Sequence, residues 1–349
     1  MENVENDFPM ISIVVPMRNE IRDIDRSIDS FLNQDYPSSR YEVIIADGDS
    51  NDGSLEKVHD YISKVDNLKV VRNRKKIRAA GVNLGIKAAG GEIVVIMDFH
   101  VVYPPSYVTD CVGLINSDMG DNVGGVIETR PGCNTLIAYC IALMLKHRFG
   151  VGGSRFRVCN KSGCVDTVPF GAFKKILIKK IGLFDERLIR TEDNEFNSRI
   201  IKRGGKIFMS SGIRSIYYAR PTVSRLCEQA YGSGRSHIAT LMVGAYAFQL
   251  RHFIPFLFFL SIVVGVFGWI WAPLYILAGL SLCFYSLASI IATLDIVRKE
   301  GVKYSIVLPW LFFLYHFSYG FGTFVGILSL TRFMRAKKKL RQIYQKEGF

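Results

Sequence analysis

Four short polar segments lie in order along the first two-thirds of the chain and carry residue types that could do chemistry. Each places acidic or carbonyl groups at the end of an apolar run or at the start of a predicted helix, where ligands bind in open α/β sheets. Any one segment alone is weak evidence, but the ordered set fits the transfer of a sugar from a nucleotide diphosphate. The segments are Ser12–Glu20, Ala46–Ser54, Met97–His100 and Arg190–Asp193.

Asp98 and His100 are the candidate metal ligands. Residues two apart in an extended strand point the same way, so this carboxylate and imidazole could meet at one divalent ion. Such an ion would bridge the two phosphates of a sugar nucleotide and neutralise the departing diphosphate. The alternative is a turn-capping aspartate beside a half-buried histidine, and this triplet taken alone favours that alternative.

Asp47 and the segment after the first strand are candidates for contact with a base or ribose. Asp47 follows a buried run, and its carboxylate could accept the N–H of a pyrimidine; the alternative is an ordinary turn. Pro16 ends the first strand, and Asn19 and Glu20 open the next predicted helix. Helix capping is their structural alternative, favoured until the segments are considered together.

Glu192 and Asp193 precede a predicted helix, where acids are stabilised by the helix macrodipole by roughly 0.3–1 kcal/mol. The functional alternative makes Asp193 the general base that takes a proton from an attacking hydroxyl. One carboxylate is enough for a direct inverting displacement, because no covalent sugar intermediate is needed. Glu192, Gln229 and Arg235 are candidate contacts to the acceptor or a diphosphate; the alternative for Arg235 is a solvated or lipid-facing side chain.

The elements that must position these residues alternate between buried β-branched runs and helical patterns. This alternation predicts an α/β fold with a parallel, doubly wound sheet. The predicted strands are Ile11–Val15, Val43–Ala46, Leu68–Val71, Ile93–Met97, Gly125–Ile127 and Ile207–Met209. The predicted helices are Ile21–Asn33, Ser54–Val65, Arg78–Ala89, Pro105–Met119 and Asp193–Lys202.

The C-terminal third is dense in apolar residues and predicts membrane helices. Phe253–Ile270 and Pro273–Leu294 approach the roughly 20 apolar residues that span a bilayer. A third run, Tyr304–Leu330, is broken by Pro309, His316 and three glycines, so we expect two full spans and an incomplete third. Thr222–Leu250 is expected at the headgroup region, and Thr135–Leu145 is equally well interpreted as interfacial or as a core helix.

Charge and the N-terminal sequence predict where the chain resides. The net charge is +13, and a basic cluster directly follows the last apolar run, which indicates anionic lipid rather than nucleic acid as partner. Met1–Met10 is acidic and has no apolar core of a signal peptide, so the soluble part is expected on the cytoplasmic side of a multi-pass cell-membrane protein. The seven scattered cysteines are expected to be reduced, structural thiols.

Taken together, the segments resemble family 2 glycosyltransferases of the GT-A fold, and most closely the succinoglycan-type exopolysaccharide enzymes. The likeness covers about Met10–Ser236. Pro16 to Glu20 matches the family's Pro-x-x-Asn-Glu, and Asp47 to Gly53 matches its Asp-Gly-x-Ser-x-Asp-Gly block. Arg78–Ala88 is similar to the Ala/Asn-rich helix before the metal motif, Asp98-Phe-His stands at the Asp-x-Asp position, and the acceptor-side signature is similar to Gly182–Glu186 followed by Thr191–Asp193.

This resemblance implies a GT-A domain with a Rossmann-like, mostly parallel sheet at 1–236, an interfacial linker helix at 237–252, a membrane region at 253–331 and a basic tail at 332–349. It implies an inverting, metal-dependent enzyme that uses Mn²⁺ or Mg²⁺, with the imidazole of His100 shifting the preference towards Mn²⁺. Its donor would be a UDP-linked nucleotide-sugar, and Asp193 would be the base. The donor-binding residues implied are Pro16, Asn19, Glu20, Asp47, Arg78 and Asp98.

The implied acceptor is a polyprenyl-linked glycan, in exopolysaccharide or surface-glycan synthesis. The chain has Gln229 but no Gln-x-x-Arg-Trp, which favours addition of one sugar at a time. Two alternatives remain: a polyprenyl-phosphate sugar synthase, and a non-catalytic scaffold that binds nucleotide-sugar or lipid. A nicotinamide dehydrogenase is disfavoured because no Gly-x-Gly-x-x-Gly follows the first strand.

Overall fold

The computed structural model describes residues 8–243 and 250–346, and the chain forms two compact units. The first unit comprises Met1–Arg130 and Ser154–Ala219; the second comprises Pro131–Gly153 and Arg220–Phe349. The boundaries between these two compact units differ from the domain boundaries expected from the sequence, and the expected domain boundaries stay predictions. The linker expected at 237–252 lies partly outside the described residues, as do the N-terminal residues 1–7 and the side chains of the basic tail.

The first half of the sheet in the first unit is parallel, as predicted. Its strands run in the order β3-β2-β1-β4 with parallel pairing throughout. Continuous burial of β1 and β4 on both faces explains why each reads as an unbroken β-branched run. The elements are β1 (Ile11–Met17), α1 (Ile24–Leu32), β2 (Tyr41–Asp47), α2 (Ser54–Ile62), β3 (Leu68–Arg72), α3 (Arg78–Ala88) and β4 (Ile93–Ile96).

Helix α3 lies unusually close to the sheet because of its glycines. A Cβ at Gly85 would lie 2.3 Å from Cγ1 of Val14 on β1, so only glycine fits at this contact. Val82 and Ile86 of the same helix are buried in the core beside Val14. This packing fixes the first residue of α3, Arg78, at the carboxyl ends of the strands.

The second half of the sheet is mixed, so the sheet is not parallel throughout, although its longest strand pairs are parallel. Strand β8 is antiparallel to β4 and β6, β6 is parallel to β9, and β5 and β7 are antiparallel to β9. Antiparallel neighbours need no helical crossover, and three very short strands pair in this way with the long strands β6 and β9 or with β4. The elements are β5 (Val101–Val102), α4 (Tyr107–Asn116), β6 (Asn122–Arg130), α7 (Arg155–Val158), β7 (Gly163–Cys164), β8 (Ala172–Lys174), α8 (Leu177–Ile181), α9 (Glu192–Lys202) and β9 (Ile207–Tyr218).

The second unit is helical. The segment Thr135–Leu145 forms α5, whose residues from Ala138 to Leu145 are mostly buried, which fits its interpretation as a core helix. Thr135 caps this helix, since its Oγ1 accepts the N–H of Ala138 at 3.3 Å. The elements are α5 (Leu136–Lys146), α6 (Arg148–Val151), α10 (Val223–Val243), α11 (Ile254–Gly265), α12 (Pro273–Glu300) and α13 (Val307–Lys346).

Most of the run Tyr304–Leu330, predicted to be broken, is instead part of one continuous helix, α13, which begins at Val307. Pro309 lies in its first turn, where a missing N–H costs no hydrogen bond. The glycines are contacts with other helices and not breaks. A Cβ at Gly322 would lie 2.1 Å from the carbonyl oxygen of Tyr231 on α10, and one at Gly320 would lie 2.4 Å from that of Pro255 on α11.

The run Phe253–Ile270 is shorter as a helix than predicted. It forms α11, followed by a 3₁₀ turn over Val266–Trp269, about 25 Å in all, which is less than the roughly 30 Å of a bilayer core. Among the described residues two helices are long and apolar enough to cross a membrane, Pro273–Glu300 and Val307–Leu330.

Candidate active site

The polar segments predicted to act together end three adjacent strands. Strands β2, β1 and β4 are neighbours in the sheet, so Asp47, the loop after β1 and Asp98 share one sheet edge. Parallel strands place their carboxyl ends together, which is where open α/β sheets bind ligands. The sheet order therefore supplies the juxtaposition that the sequence only implied.

The loops after β1 and β2 bind each other. The N–H of Asn19 donates to Oγ of Ser50 at 3.0 Å, and Oδ1 of Asn19 accepts the N–H of Asn51 at 3.0 Å. The N–H of Glu20 donates to Oγ of Ser54 at 2.9 Å. Helix α1 has Asp23 at its N-cap, so the capping alternative for Asn19 and Glu20 is wrong. These loop contacts also give Ser50 and Ser54 structural roles.

Asp47 is the last residue of β2 and is 2% exposed. Its carboxylate oxygens each lie 3.3 Å from the N–H of Ser50, and its carbonyl accepts the N–H of Asn73 at 2.7 Å. The side chain is thus held at the strand end by the turn that follows it. Pro16 pairs with Ala46 in the same register, one residue before Asp47.

Arg78 joins the candidate metal motif to the candidate base segment. Its Nη2 lies 3.2 Å from both carboxylate oxygens of Asp98, and its Nη1 donates to Oε1 of Glu192 at 2.6 Å. Burial disfavours the charged guanidinium, yet the carboxylates of Asp98, Glu192 and Asp193 outweigh it and raise the pKa of Arg78 above its ordinary value. Burial raises the pKa of Glu192, and the neighbouring Asp193 adds to this against the opposing effect of Arg78.

Asp98 is further fixed by a residue that the sequence did not single out. Its N–H donates to the phenol oxygen of Tyr103 at 2.9 Å, and that phenol is buried. Burial and the nearby Asp98 raise the pKa of Tyr103. Asp98 is therefore held through its backbone by Tyr103 and through its side chain by Arg78.

One carboxylate and one imidazole, from Asp98 and His100, fit a divalent ion only if the substrate completes the coordination. Within residues 8–243 and 250–346 there is no group of three or more His, Cys, Asp or Glu side chains that could hold a metal ion. Mg²⁺-type ions are commonly bound by one or two protein groups plus substrate phosphates, so the donor set fits that arrangement. The guanidinium of Arg78 is paired with the carboxylate of Asp98. A metal ion that binds Asp98 must therefore compete with Arg78 for this carboxylate.

The base candidate stands at a strained helix start. Thr191 precedes α9 with φ of 66°, a conformation that is uncommon for a β-branched residue. Asp193 is partly buried, and its Oδ1 accepts the N–H of Asn194 at 2.8 Å. Strain of this kind is found where a loop must aim functional side chains.

Asn83 of α3 positions the segment before α9, and no sequence pattern by itself assigned it this role. Its Nδ2 donates to the carbonyl of Phe184 and to Oε1 of Glu186, both at 2.9 Å. Its Oδ1 accepts the N–H of Phe184 at 2.9 Å. One buried amide therefore links α3 to the loop that precedes α9.

Gln229 and Arg235 both lie on α10 in the second unit. Gln229 is partly buried and Arg235 is exposed. Six positions along a helix correspond to a separation of about 120° around its axis, so the two side chains do not share a face. Their predicted contacts with acceptor or diphosphate stay predictions.

Known proteins resemble this chain in sequence and in fold. Residues 12–182 match the family model described as Glycosyl transferase family 2. The chain is 28% identical over 333 residues, 91% of this chain and 97% of the relative, to a Methanococcus voltae protein. That relative is named dolichyl N-acetyl-alpha-D-glucosaminyl phosphate 3-beta-D-2,3-diacetamido-2,3-dideoxy-beta-D-glucuronosyltransferase.

A second relative is the succinoglycan biosynthesis protein ExoA of Rhizobium meliloti (strain 1021), 26% identical over 70% of this chain and 73% of the relative. Among solved structures, the mannosyltransferase PcManGT from Pyrobaculum calidifontis, in complex with GDP-Man and Mn²⁺, has a TM-score of 0.58. The identity is 19%, covering 91% of this chain and 87% of that one, so this likeness shows the fold alone.

Proposed function

Since the chain carries a glycosyl transferase family 2 domain, we propose that it is an inverting enzyme that moves a sugar from a UDP-linked donor to a hydroxyl of a lipid-linked glycan. The observation that carries the proposal is the pairing of Arg78 with both Asp98 and Glu192. This pairing brings the donor-side strand end and the acceptor-side helix start into one site.

On the donor side, Asp47 would accept the N–H of the uracil ring at the end of β2. Asp98 and His100 would hold a divalent ion, which supplies charge neutralisation for the departing diphosphate. Arg78 is charged and partly buried beside Asp98, so it would add positive charge next to the phosphates. Tyr103 keeps Asp98 in place through its backbone N–H.

On the acceptor side, Asp193 would take the proton from the attacking hydroxyl. The hydroxyl attacks the anomeric carbon on the face opposite the diphosphate, so an α-linked donor gives a β-linked product. The buried neighbour Glu192 is committed to Arg78, which leaves Asp193 as the carboxylate of this pair available to the acceptor.

The acceptor proposal is supported by the names of the relatives. The Methanococcus voltae relative is named for a sugar on dolichyl phosphate as its acceptor, and the Rhizobium relative for succinoglycan biosynthesis. Both names fit a hydroxyl of a growing lipid-linked or secreted glycan. Surface-glycan or exopolysaccharide synthesis is therefore the proposed setting.

The first test is calorimetric titration of the detergent-purified chain with UDP, with and without Mn²⁺, beside Asp98→Ala. We expect Mn²⁺-dependent UDP binding that is lost in Asp98→Ala, because the ion and the nucleotide complete each other's coordination. Asp110→Ala, which removes an exposed carboxylate on α4, is the matched control and should bind normally.

Two outcomes would change the proposal. Binding of GDP or dTDP in place of UDP would correct the donor and leave the reaction class intact. Absence of binding by every nucleotide with every metal would contradict the enzyme and favour a lipid-binding scaffold.

We further infer that α11 and α12 form a hairpin that anchors the chain in the bilayer, with the enzyme domain on the cytoplasmic side. The two helices pack antiparallel: the rings of Phe258 and Tyr285 stack at 4.0 Å, and Oγ of Ser261 donates to Oγ of Ser281 at 2.7 Å. In the most apolar 18-residue stretch of α12 only 6% is buried, whereas 44% of the corresponding stretch of α13 is buried. An apolar helix that leaves most of its side chains exposed outside its contact with α11 fits lipid as its solvent.

The tryptophans provide the test of this anchor. The chain has three, and all are exposed: Trp269 at 75% and Trp271 at 63% near the hairpin tip, and Trp310 at 67% on α13. In Trp310→Phe, fluorescence then reports the tip alone. We expect quenching by chain-brominated lipids in vesicles and protection from acrylamide. Strong acrylamide quenching without lipid quenching in the vesicle-bound protein would contradict the hairpin, and Trp269→Phe/Trp271→Phe is the control.

A further inference from the structure

Arg157 is a partly buried cation at the far side of the metal motif, and the described part of the chain gives it no ion pair with a carboxylate. Its Nη1 donates to Oγ1 of Thr129 at 3.1 Å, and its guanidinium carbon lies 4.6 Å from the ring centroid of Tyr217. Thr129 and Tyr217 are themselves 1% and 3% exposed. The guanidinium is thus held in place by two buried side chains.

Two other arginines in this region, Arg130 and Arg26, differ from it in having acidic partners. Nε of Arg130 donates to Glu128 at 2.8 Å, and Arg26 pairs with Asp23 while lying 3.8 Å above the ring of Tyr218. A guanidinium has five N–H donors, and among the described residues Arg157 uses one of them. A partly buried charge without a counterion is unfavourable, so an anionic ligand would stabilise this position.

The position of Arg157 in the fold indicates which anionic ligand would bind there. The edge of the Tyr217 ring meets the His100 ring with centroids 5.4 Å apart, so Arg157 lies one aromatic ring beyond the metal motif. Tyr217 belongs to β9 and pairs with Val101 of β5, at the end of the sheet opposite β3. Asp47, on β2, lies towards the other end, so Arg157 is on the side of His100 away from the proposed base contact.

We propose that Arg157 binds the phosphate or diphosphate that links the acceptor glycan to its lipid carrier. The proposal rests on the proposed function in taking a lipid-linked acceptor. The planar guanidinium offers paired N–H donors that match two phosphate oxygens, and the stacking on Tyr217 fixes its plane. Binding the carrier phosphate here would hold the first sugars of the acceptor near His100 and the donor.

The diphosphate of the nucleotide-sugar donor could also bind a guanidinium. The experiment therefore distinguishes the donor diphosphate from the phosphate of the lipid carrier. The full-length protein is first saturated with UDP and Mn²⁺, and farnesyl diphosphate is then titrated as a short prenyl diphosphate probe. We expect Arg157→Gln to weaken farnesyl diphosphate binding by roughly tenfold to hundredfold, which corresponds to the loss of hydrogen bonds to a charged group. UDP affinity should stay unchanged.

Arg155→Gln is the matched control, because it removes the same charge two residues away on the same helix. Arg155 is exposed, and its Nη1 donates only to the carbonyl of Cys164 at 2.8 Å. Its variant should bind farnesyl diphosphate as the parent does, which also measures uptake of the probe by detergent. If Arg157→Gln does not fold, Arg157→Lys takes its place, since it keeps the charge and loses the paired donors.

Equal farnesyl diphosphate affinity in the parent and the Arg157 variant overturns the proposal. A fall in UDP affinity matching that for farnesyl diphosphate also overturns it, because the arginine then serves the donor. Failure of the parent to bind any nucleotide would instead count against the proposed function, and the prenyl diphosphate titration without nucleotide still tests Arg157.

Discussion

Asp193→Asn is expected to lower the rate of sugar transfer by roughly 10²–10⁴-fold while leaving Mn²⁺-dependent UDP binding unchanged. The amide keeps the size and the hydrogen bond of the side chain at the start of α9 but cannot take a proton from the acceptor. Transfer is measured as release of UDP in the presence of a lipid-linked acceptor, and binding is measured by calorimetry. The split between a large effect on rate and none on donor binding identifies a base rather than a structural residue.

Asp60→Asn is the control for this experiment. Asp60 is exposed on α2, outside every segment assigned to the candidate site, so its loss should leave the rate within about twofold. Normal transfer by Asp193→Asn would remove Asp193 from the chemistry. Loss of UDP binding in the same variant would assign it to the donor instead.

Arg78→Met is expected to lower the free energy of unfolding by about 3–5 kcal/mol, because removal of one partner leaves buried carboxylates unpaired. The side chains of Asp98 and Glu192 are only 11% and 4% exposed, and both depend on this guanidinium. Denaturant unfolding of the purified protein, followed by circular dichroism, measures the change. The variant should also lose part of its affinity for UDP, since positive charge beside the phosphates is removed.

A second substitution separates charge from packing. In Arg78→Met/Glu192→Gln one of the unpaired charges is removed, so we expect part of the lost stability to return. Arg72→Met is the comparison, since Arg72 is 67% exposed and pairs with Asp49 at the surface, where such pairs contribute about 0–1 kcal/mol. If Arg78→Met were as stable as Arg72→Met, Arg78 would not be holding the two acidic segments together.

The parallel half of the fold was predictable because its signals are local. Strands β1 and β4 are buried on both faces, and burial on both faces requires the uninterrupted apolar runs that were read from the sequence. Asp47 and Asp98 could be placed at strand ends for the same reason. Their shared edge followed from the rule that parallel strands end together, and the strand order confirms it.

The mixed half and the continuous α13 were not predictable from local patterns. Strands β5 and β7 have two residues each, too few for alternation or a buried run to be recognised. The glycines of α13 have the composition of a helix break, and only the approach of the backbones of α10 and α11 explains them. Small residues serve this purpose where helices pack closely.

The sequence indicated the candidate residues one by one, but it did not indicate which of them contact each other. Arg78 and Glu192 are far apart in the sequence, and neither pattern carries information about the other. The same holds for Asn83 with Phe184, and for Arg157 with Tyr217. These contacts form because particular strands become neighbours in the sheet. The strand order depends on the whole sheet and cannot be read from a local pattern.

The hairpin of α11 and α12, proposed above as the membrane anchor, carries no charged side chain along most of its length. Residues 253–294 contain no Asp, Glu, Lys, Arg or His, and the turn between the helices is Trp269-Ile-Trp-Ala-Pro273. Each charged side chain carried to the bilayer centre would cost about 2.5–3.5 kcal/mol on insertion scales, and here none is carried. On that proposal, we expect the hairpin to enter the bilayer after synthesis from the side on which the chain is made, because no polar loop would have to be translocated.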